Sequence, residues 1–570
     1  MKFRRQRGFA LLILAALVVA GTAWFFVNTL AASANRLATD RARNGATLQE
    51  AKQALIAYVL QQAALSSEHN PGRFPCPEAA GYFGDMTQEG VAAGTCSLPK
   101  IGRLPWKTLG IEKLLDADGE PLWYIISPGW ANDGAALSIN SDSVGMLGVD
   151  GKSNSAIALI VAPGAPLSVQ SSGTCNARTQ SRRTTDNSGA LIAPDYRDFL
   201  ECDNASFPAD NSFATLGPSG SFNDQVVAIT ISDVMPLLEG VITSRIAKDV
   251  IPQFSSIYSS ASWGASTSTP IFPFAANFQD PASSTFKGVA GKSQGLLPLH
   301  ATTCTTMTAG RCDDNPLSPF ITWDLSSIAV TKSGGTASSI SASCPASTST
   351  SILCTITFSR SSCFICSITV SGVALQAKAT NVGMTFKTLT TAGLSGLSGT
   401  ITLTSPLQSD GSALAKYSSS TTYSGGSGGL CGTFFGLSCT GTISNVAMPI
   451  SIFQGHPFLN PSSSDAWYWF FANKWHHYTY YAVAQSHLPS GATHNCATVG
   501  DCILISGMTP STGIRASTAL TGRNLMSTSR LYDDITGFMD SAENRNGDRS
   551  FEQLRVSRTF NDRFVSVSNY

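Results

Sequence analysis

The sequence predicts an α+β protein: an N-terminal transmembrane stem helix, two tandem α+β modules built on one plan, and a β-rich, sandwich-like insertion that interrupts the second module. Three observations lead there. A long apolar run follows a basic N-terminus, a series of short motifs recurs in the same order, and a Ser/Thr/Gly-rich stretch alternates with period two. The expected boundaries are a basic leader at 1–8, the stem at 9–34 and a first module at 35–231. The second module then occupies 232–323 and 465–570, around an insertion at 324–464.

The chain has 570 residues, enough for roughly three to four domains at about 150 residues each. Only 13% of residues are charged, against roughly 25% in ordinary soluble domains. Lys plus Arg equals Asp plus Glu at 37 each, which argues against a general electrostatic affinity for nucleic acid or anionic lipid. Residues 515–563 hold eight Arg but also seven acidic residues, so no nucleic-acid partner is expected there.

The stem begins after MKFRRQR, four positive charges in seven residues. Gly8-Phe9 then opens an apolar run that carries no charge until Arg36. About 20 such residues cross a bilayer core, and the basic flank is expected to stay cytoplasmic. The run continues into a helical pattern in which Leu48, Ala51, Leu55 and Val59 share one face. Three readings compete: a secretory signal cleaved at Ala32-Ser33-Ala34, an uncleaved anchor, and a processed stem helix. The amphipathic continuation favours the third, since a cleaved signal has no use for it.

The motif Arg7-Gly8-Phe9-Ala10-Leu11-Leu12 and the long helix after it resemble the leader of type IV pilins and type II secretion pseudopilins. The resemblance implies cleavage after Gly8 by a prepilin peptidase, with Phe9 as the new, methylated N-terminus. It also implies pilin-like modules, an inner-membrane location with a cytoplasmic N-terminus and periplasmic body, and other pilin or pseudopilin subunits as partners. One departure stands out. The fifth mature residue, Glu in most of the family, is Ile13 here. That Glu is thought to neutralise a neighbour's ammonium in the apolar filament core, where an unpaired charge is costly. Its absence suits a subunit at a filament tip or in an initiating complex.

The repeated plan reads as follows. Phe74-Pro75-Cys76-Pro77 matches Phe272-Pro273-Phe274, and Gly90 and Gly288 each lie sixteen residues after the first Phe. Gly102-Arg103-Leu104-Pro105 matches Gly295-Leu296-Leu297-Pro298, and Leu122 to Ile126 matches Tyr480 to Val483. Ala158 to Gly164 is paired with Ile503 to Gly507, Asp198-Phe199-Leu200-Glu201 with Gly537-Phe538-Met539-Asp540, and Phe222-Asn223-Asp224 with Phe560-Asn561-Asp562. A helix over 232–250, capped at Ser232-Asp233, is expected to open the second copy. The FPCP, LPW, APG and FND signatures after such a stem also resemble a group of large bacterial pilin-like proteins, over roughly 1–300 and 465–570.

Fourteen cysteines in a chain with an export signal read as disulfides. The close couples are Cys76 with Cys96, Cys175 with Cys202, Cys304 with Cys312, Cys431 with Cys439, and Cys496 with Cys502. Cys76 and Cys96 are both missing from the second copy, as expected of a bonded pair. Cys344, Cys354, Cys363 and Cys366 allow three connectivities. Cys363 and Cys366 form a lone CxxC without a second ligand pair, so no metal is expected.

Alternating segments such as Ile352 to Phe358 and Thr400 to Thr404 predict the β insertion, which would display any surface ligand site. The aromatic run from Trp467 to Tyr481 reads as core that re-enters the second module. His476 and His477 would face opposite sides of a strand and so share no metal. Asp116-Ala117-Asp118-Gly119 and Asn544-Arg545-Asn546-Gly547-Asp548 recur to the eye as calcium loops but fall short of the full register, and read as turns. No catalytic motif appears, so no enzyme, cofactor or catalytic residue is expected. The expected function is a structural minor pilin or pseudopilin-like subunit of a type IV pilus or type II secretion system. The alternative is a membrane-tethered periplasmic or cell-surface binding or adhesion protein that enters no filament.

Overall fold

The computed structural model describes residues 7–96, 100–132, 138–167, 180–186, 188–216, 221–259, 269–280, 286, 288–289, 291–298, 307–308, 311–312, 322–347, 351–361, 368–380, 386–388, 399–405, 413–425, 439–449, 453–455, 462–488, 496, 501–525 and 529–567. It combines one long apolar helix with mixed α and β structure in many small sheets. The chain divides into two units. One comprises 1–63, 71–139 and 143–235, the other 64–70, 140–142 and 236–570.

A single helix, Arg7–Ala64, runs unbroken for 58 residues, about 87 Å at 1.5 Å per residue. No proline interrupts it, and a Cβ at Gly21 would meet no neighbouring atom. The expected stem at 9–34 is thus the first half of a longer element. In the first unit a four-stranded antiparallel sheet is built from Ile101–Arg103, Trp123–Ile126, Ala158–Ala162 and Gln225–Ile229, neighbours in chain order. Trp123–Ile126 and Ala158–Ala162 are buried throughout, which explains their continuous apolar runs.

The second unit contains a sheet of the same order, from Gln294–Leu296, Thr479–Val483, Ala516–Leu520 and Arg563–Val567, also antiparallel throughout. A helix runs over Ile231–Arg245, passes through a π turn at Ile246–Val250, and continues as Ile251–Tyr258. Pro252 accounts for the π turn: it lacks the N–H that would bond to residue 248, and its ring crowds that carbonyl. The helix start also differs from expectation. Asp233, not Ser232, closes the cap, its carboxylate accepting from the Thr230 backbone N–H and hydroxyl, each at 2.7 Å.

Between Gln294–Leu296 and Thr479–Val483 lies a β-rich insertion, whose described residues include one six-stranded and one three-stranded sheet. In its strand Ser351–Arg360, Ile352, Cys354, Ile356 and Phe358 are buried and the residues between them less so, the alternation read from sequence.

The topology corrects two pairings of the repeat. The counterpart of Ala158–Ala162 is Ala516–Leu520, not 503–507. Leu504–Ser506 instead pairs in parallel with Ser550–Glu552, as Leu147–Val149 does with Ser212–Phe213. Gly288 faces Ala276 where Ala92, not Gly90, faces Glu78.

Candidate functional site

Two features carry the functional argument: a helix that is bare along one half, and a polar brace built twice. From Ile13 to Leu37 the helix leaves its large side chains in the open. Trp24, Phe25 and Phe26 are 65–71% exposed. Burial begins at Asn44 and proceeds through Leu48, Ala51, Leu55, Ile56, Val59 and Ala63. The spacing of three and four places these on one face. Polar contacts pin the same half: Lys52 pairs with Asp233 at 2.9 Å and donates to the Ala228 carbonyl, while Asn44 accepts from the Ala117 backbone at 2.6 Å. The helix is long and apolar enough to span a membrane. Gly8 and Phe9 lie within it, but their side chains are outside the described residues. Ile13 is about half exposed.

The brace begins with the FND motif. In the first unit Glu201 Oε2 accepts the backbone N–H groups of Asn223 and Asp224, both at 2.9 Å. Asp224 Oδ2 in turn accepts the Glu201 N–H and Asn204 Nδ2, also at 2.9 Å. Asn223 donates to the Ala165 carbonyl at 2.6 Å, beside Gly164, where a Cβ would meet the Asn223 amide at 3.0 Å. The second unit repeats most of this, with Asp540 in place of the glutamate. Asp540 accepts from Asn561 N–H at 2.7 Å, Asp562 from Asp540 N–H at 3.0 Å and from Asn544 at 3.1 Å, and Asn561 donates to Arg523 O at 2.6 Å beside Gly522.

An arginine completes each brace. Arg182 donates to the Gly164 carbonyl at 2.6 Å, lies over the Phe199 ring and pairs with Glu120. Arg530 donates to the Gly522 carbonyl at 2.5 Å, lies over Phe538 and pairs with Asp142. Burial pushes the Glu201 and Asp224 carboxyls up, and for Asp224 the adjacent Glu201 charge adds to it. Burial raises Asp540 likewise and Asp562 to about 7. Glu201, Asp224 and Asp562 are at most 2% exposed. Sealed carboxyls that staple backbone act as braces, since no substrate reaches them.

Cysteines occupy the remaining predicted positions. Disulfides join Cys76 to Cys96 and Cys496 to Cys502, as the spacing suggests, and Cys344 to Cys354, which settles one open pairing. Cys202 is disulfide-bonded, while Cys175 lies outside the described residues. Cys439 is a buried free thiol, so its expected bond to Cys431 is not formed; it sits on the strand Cys439–Pro449, aligned with Arg360. Cys304, Cys363, Cys366 and Cys431 lie outside the described residues, as does the Cys312 side chain.

The aromatic run is core. Trp469, Phe470, Trp475, Tyr480 and Tyr481 are at most 1% exposed. Its local form differs from the expected strand: Tyr468–Ala472 is a short helix, and Lys474, at φ +58°, turns the chain into the 3-10 helix Trp475–Tyr478. His476 and His477 therefore lie together, rings 4.2 Å apart, with His477 stacked on Phe286. Burial lowers both imidazoles, His477 to about 4, so the pair is neutral at ordinary pH. His487 lies close to Cys496 and Cys502, but the two sulfurs bond each other and are not thiolate ligands. The calcium-like segments are turns: Asp116 Oδ1 accepts from Asp118 and Glu120 N–H, and Asn546 from Asp548 N–H.

No protein-family model, curated protein or solved structure matches the chain.

Proposed function

We propose that this chain is a membrane-anchored structural subunit of a pilin- or pseudopilin-type assembly, placed at a filament tip or in an initiating complex. The observation that carries the reading is the helix Arg7–Ala64, bare and apolar along its first half and packed by one face along its second. A bare apolar half is costly in water and favourable in a bilayer or against like helices. One rigid helix serves both settings without refolding. The disulfides support a body outside the reducing cytosol, with the basic N-terminus on the cytoplasmic side of the inner membrane. A prepilin peptidase would act between Gly8 and Phe9.

Ile13 supports low stoichiometry, because this subunit offers no carboxylate at the fifth mature position. Its own ammonium can still be met by a neighbour's Glu. The same residue favours the second reading, a tethered binding protein outside any filament. Crosslinking from a cysteine placed at Val18, followed by identification of captured chains, separates the two. The assembly reading expects other subunits with prepilin-type leaders. Capture of this chain alone contradicts it.

A further inference from the structure

The first unit holds a cavity of about 270 Å³ among Glu78, Ala80, Phe83, Arg103, Trp123 and Tyr196. Glu78, Arg103 and Trp123 are each more than nine-tenths buried. Yet Glu78 Oε1, Arg103 Nε and Trp123 Nε1 have no hydrogen-bond partner among the described residues. Unmade hydrogen bonds on buried groups are costly. One acceptor and two donors thus stand unsatisfied on side chains that share one hollow. The Arg103 guanidinium also lies 4.5 Å from the Phe83 ring centre, and the Cys76–Cys96 disulfide holds the rim, with Cys96 in the wall.

The second unit supplies an internal control. Ala276 N–H donates to the Leu296 carbonyl at 3.0 Å as Glu78 N–H does to Arg103. That register equates Ala276 with Glu78, Leu296 with Arg103, and Phe278 with Ala80. Tyr480 stands for Trp123, because Leu297 bonds the Thr479 carbonyl as Leu104 bonds Leu122. In the second unit a phenylalanine occupies this place. Phe278 stacks on Tyr480 and packs 5.2 Å from Phe538, with Ala276 and Leu296 in the same apolar cluster. One plan therefore exists in two versions, one filled by a phenylalanine and one hollow and lined with polar groups. Four coordinated differences at one location point to an occupant of the hollow copy.

We propose that the cavity binds a neutral, single-ring polyol, a hexose unit, through Glu78, Arg103 and Trp123. Hydroxyl groups donate and accept, and so match an acceptor and two donors together. Opposite charges on Glu78 and Arg103 disfavour a ligand of either net charge. The aromatic rings of Phe83, Trp123 and Tyr196 suit the apolar face of a ring. The volume lies just below the roughly 300–1,000 Å³ of drug-sized pockets, which admits one ring rather than a chain of them. This inference does not depend on the assembly reading.

The test uses the full chain in a zwitterionic detergent without sugar headgroups. Free glucose, galactose, mannose and N-acetylglucosamine are titrated by saturation-transfer NMR, with cyclohexanol and benzyl alcohol as ring-sized controls. The expected result is saturable binding of at least one sugar, weakened at least tenfold in Ala80→Phe, which copies the filled unit. Glu78→Gln should weaken binding by a similar factor and serves if Ala80→Phe fails to fold. Phe278→Ala should leave binding unchanged. Silence of all four sugars overturns the proposal, as does undiminished binding in both cavity variants, or binding of the control alcohols alone.

Discussion

Asp562 is held by Asp540 N–H and Asn544 Nδ2 in a site sealed from water, and burial first, then the Asp540 charge, raises its carboxyl from 3.8 to about 7. The folded chain therefore keeps a proton that the unfolded chain releases near pH 4. Stability from this group is whole below its unfolded value and is lost as pH rises towards 7. Glu239, buried beside Arg563, acts with the same sign, because burial lifts it to about 7 against the pull of that arginine. We expect thermal melts of the full chain to show a midpoint that falls between pH 4.5 and 7. Asp562→Asn, which mimics the protonated acid, should flatten that fall by an amount on the order of a few kcal/mol. Arg563→Met at pH 7 should lower stability by about 3–5 kcal/mol, since it strands a buried acid. An Arg563→Met melt within 1 °C of the parent protein would contradict a stabilising role for the Arg563–Glu239 pair.

At the scale of elements, the stem helix makes a contrast within one sequence. Leu55 is fully buried and Leu17 is 64% exposed. In detergent, Leu55→Ala should cost about 2–5 kcal/mol by guanidinium unfolding, while Leu17→Ala should stay within about 0.5 kcal/mol. Replacing Cys76 and Cys96 together by serine should cost about 2–4 kcal/mol, as expected for a loop of 20 residues. The helical stripe was legible because burial at spacing three and four leaves an apolar face in the sequence. So were the loop motifs, whose Pro, Gly and Asn residues serve backbone geometry directly. The strand Ala516–Leu520 was not legible. It is buried throughout yet carries Ser517 and Thr518, and the Ser517 hydroxyl is satisfied by the Val565 carbonyl at 3.2 Å. The more apolar 503–507 therefore drew the match, although Leu504 and Ser506 point outward. The histidine pair was misplaced for a related reason: a period-two reading carries no sign of the left-handed Lys474 that ends it.

For the whole molecule, the two units share a sheet order, a carboxyl brace and an arginine clamp, but the place that Phe278 fills in the second is a polar-lined cavity in the first. Nothing in a motif search marks that difference, because Ala80 and Phe278 both read as ordinary apolar residues. It emerges only once hydrogen-bond register aligns the copies. The central claim is that the bare half of the stem is retained as a structural element after a short leader is removed. Intact-mass and N-terminal peptide mass spectrometry of the chain purified from membranes tests this most directly. The expected product is a mature chain that begins at a methylated Phe9. A chain beginning at Asn35 would contradict it, for the stem would then be a discarded signal, and one retaining Met1 would leave a simple anchor.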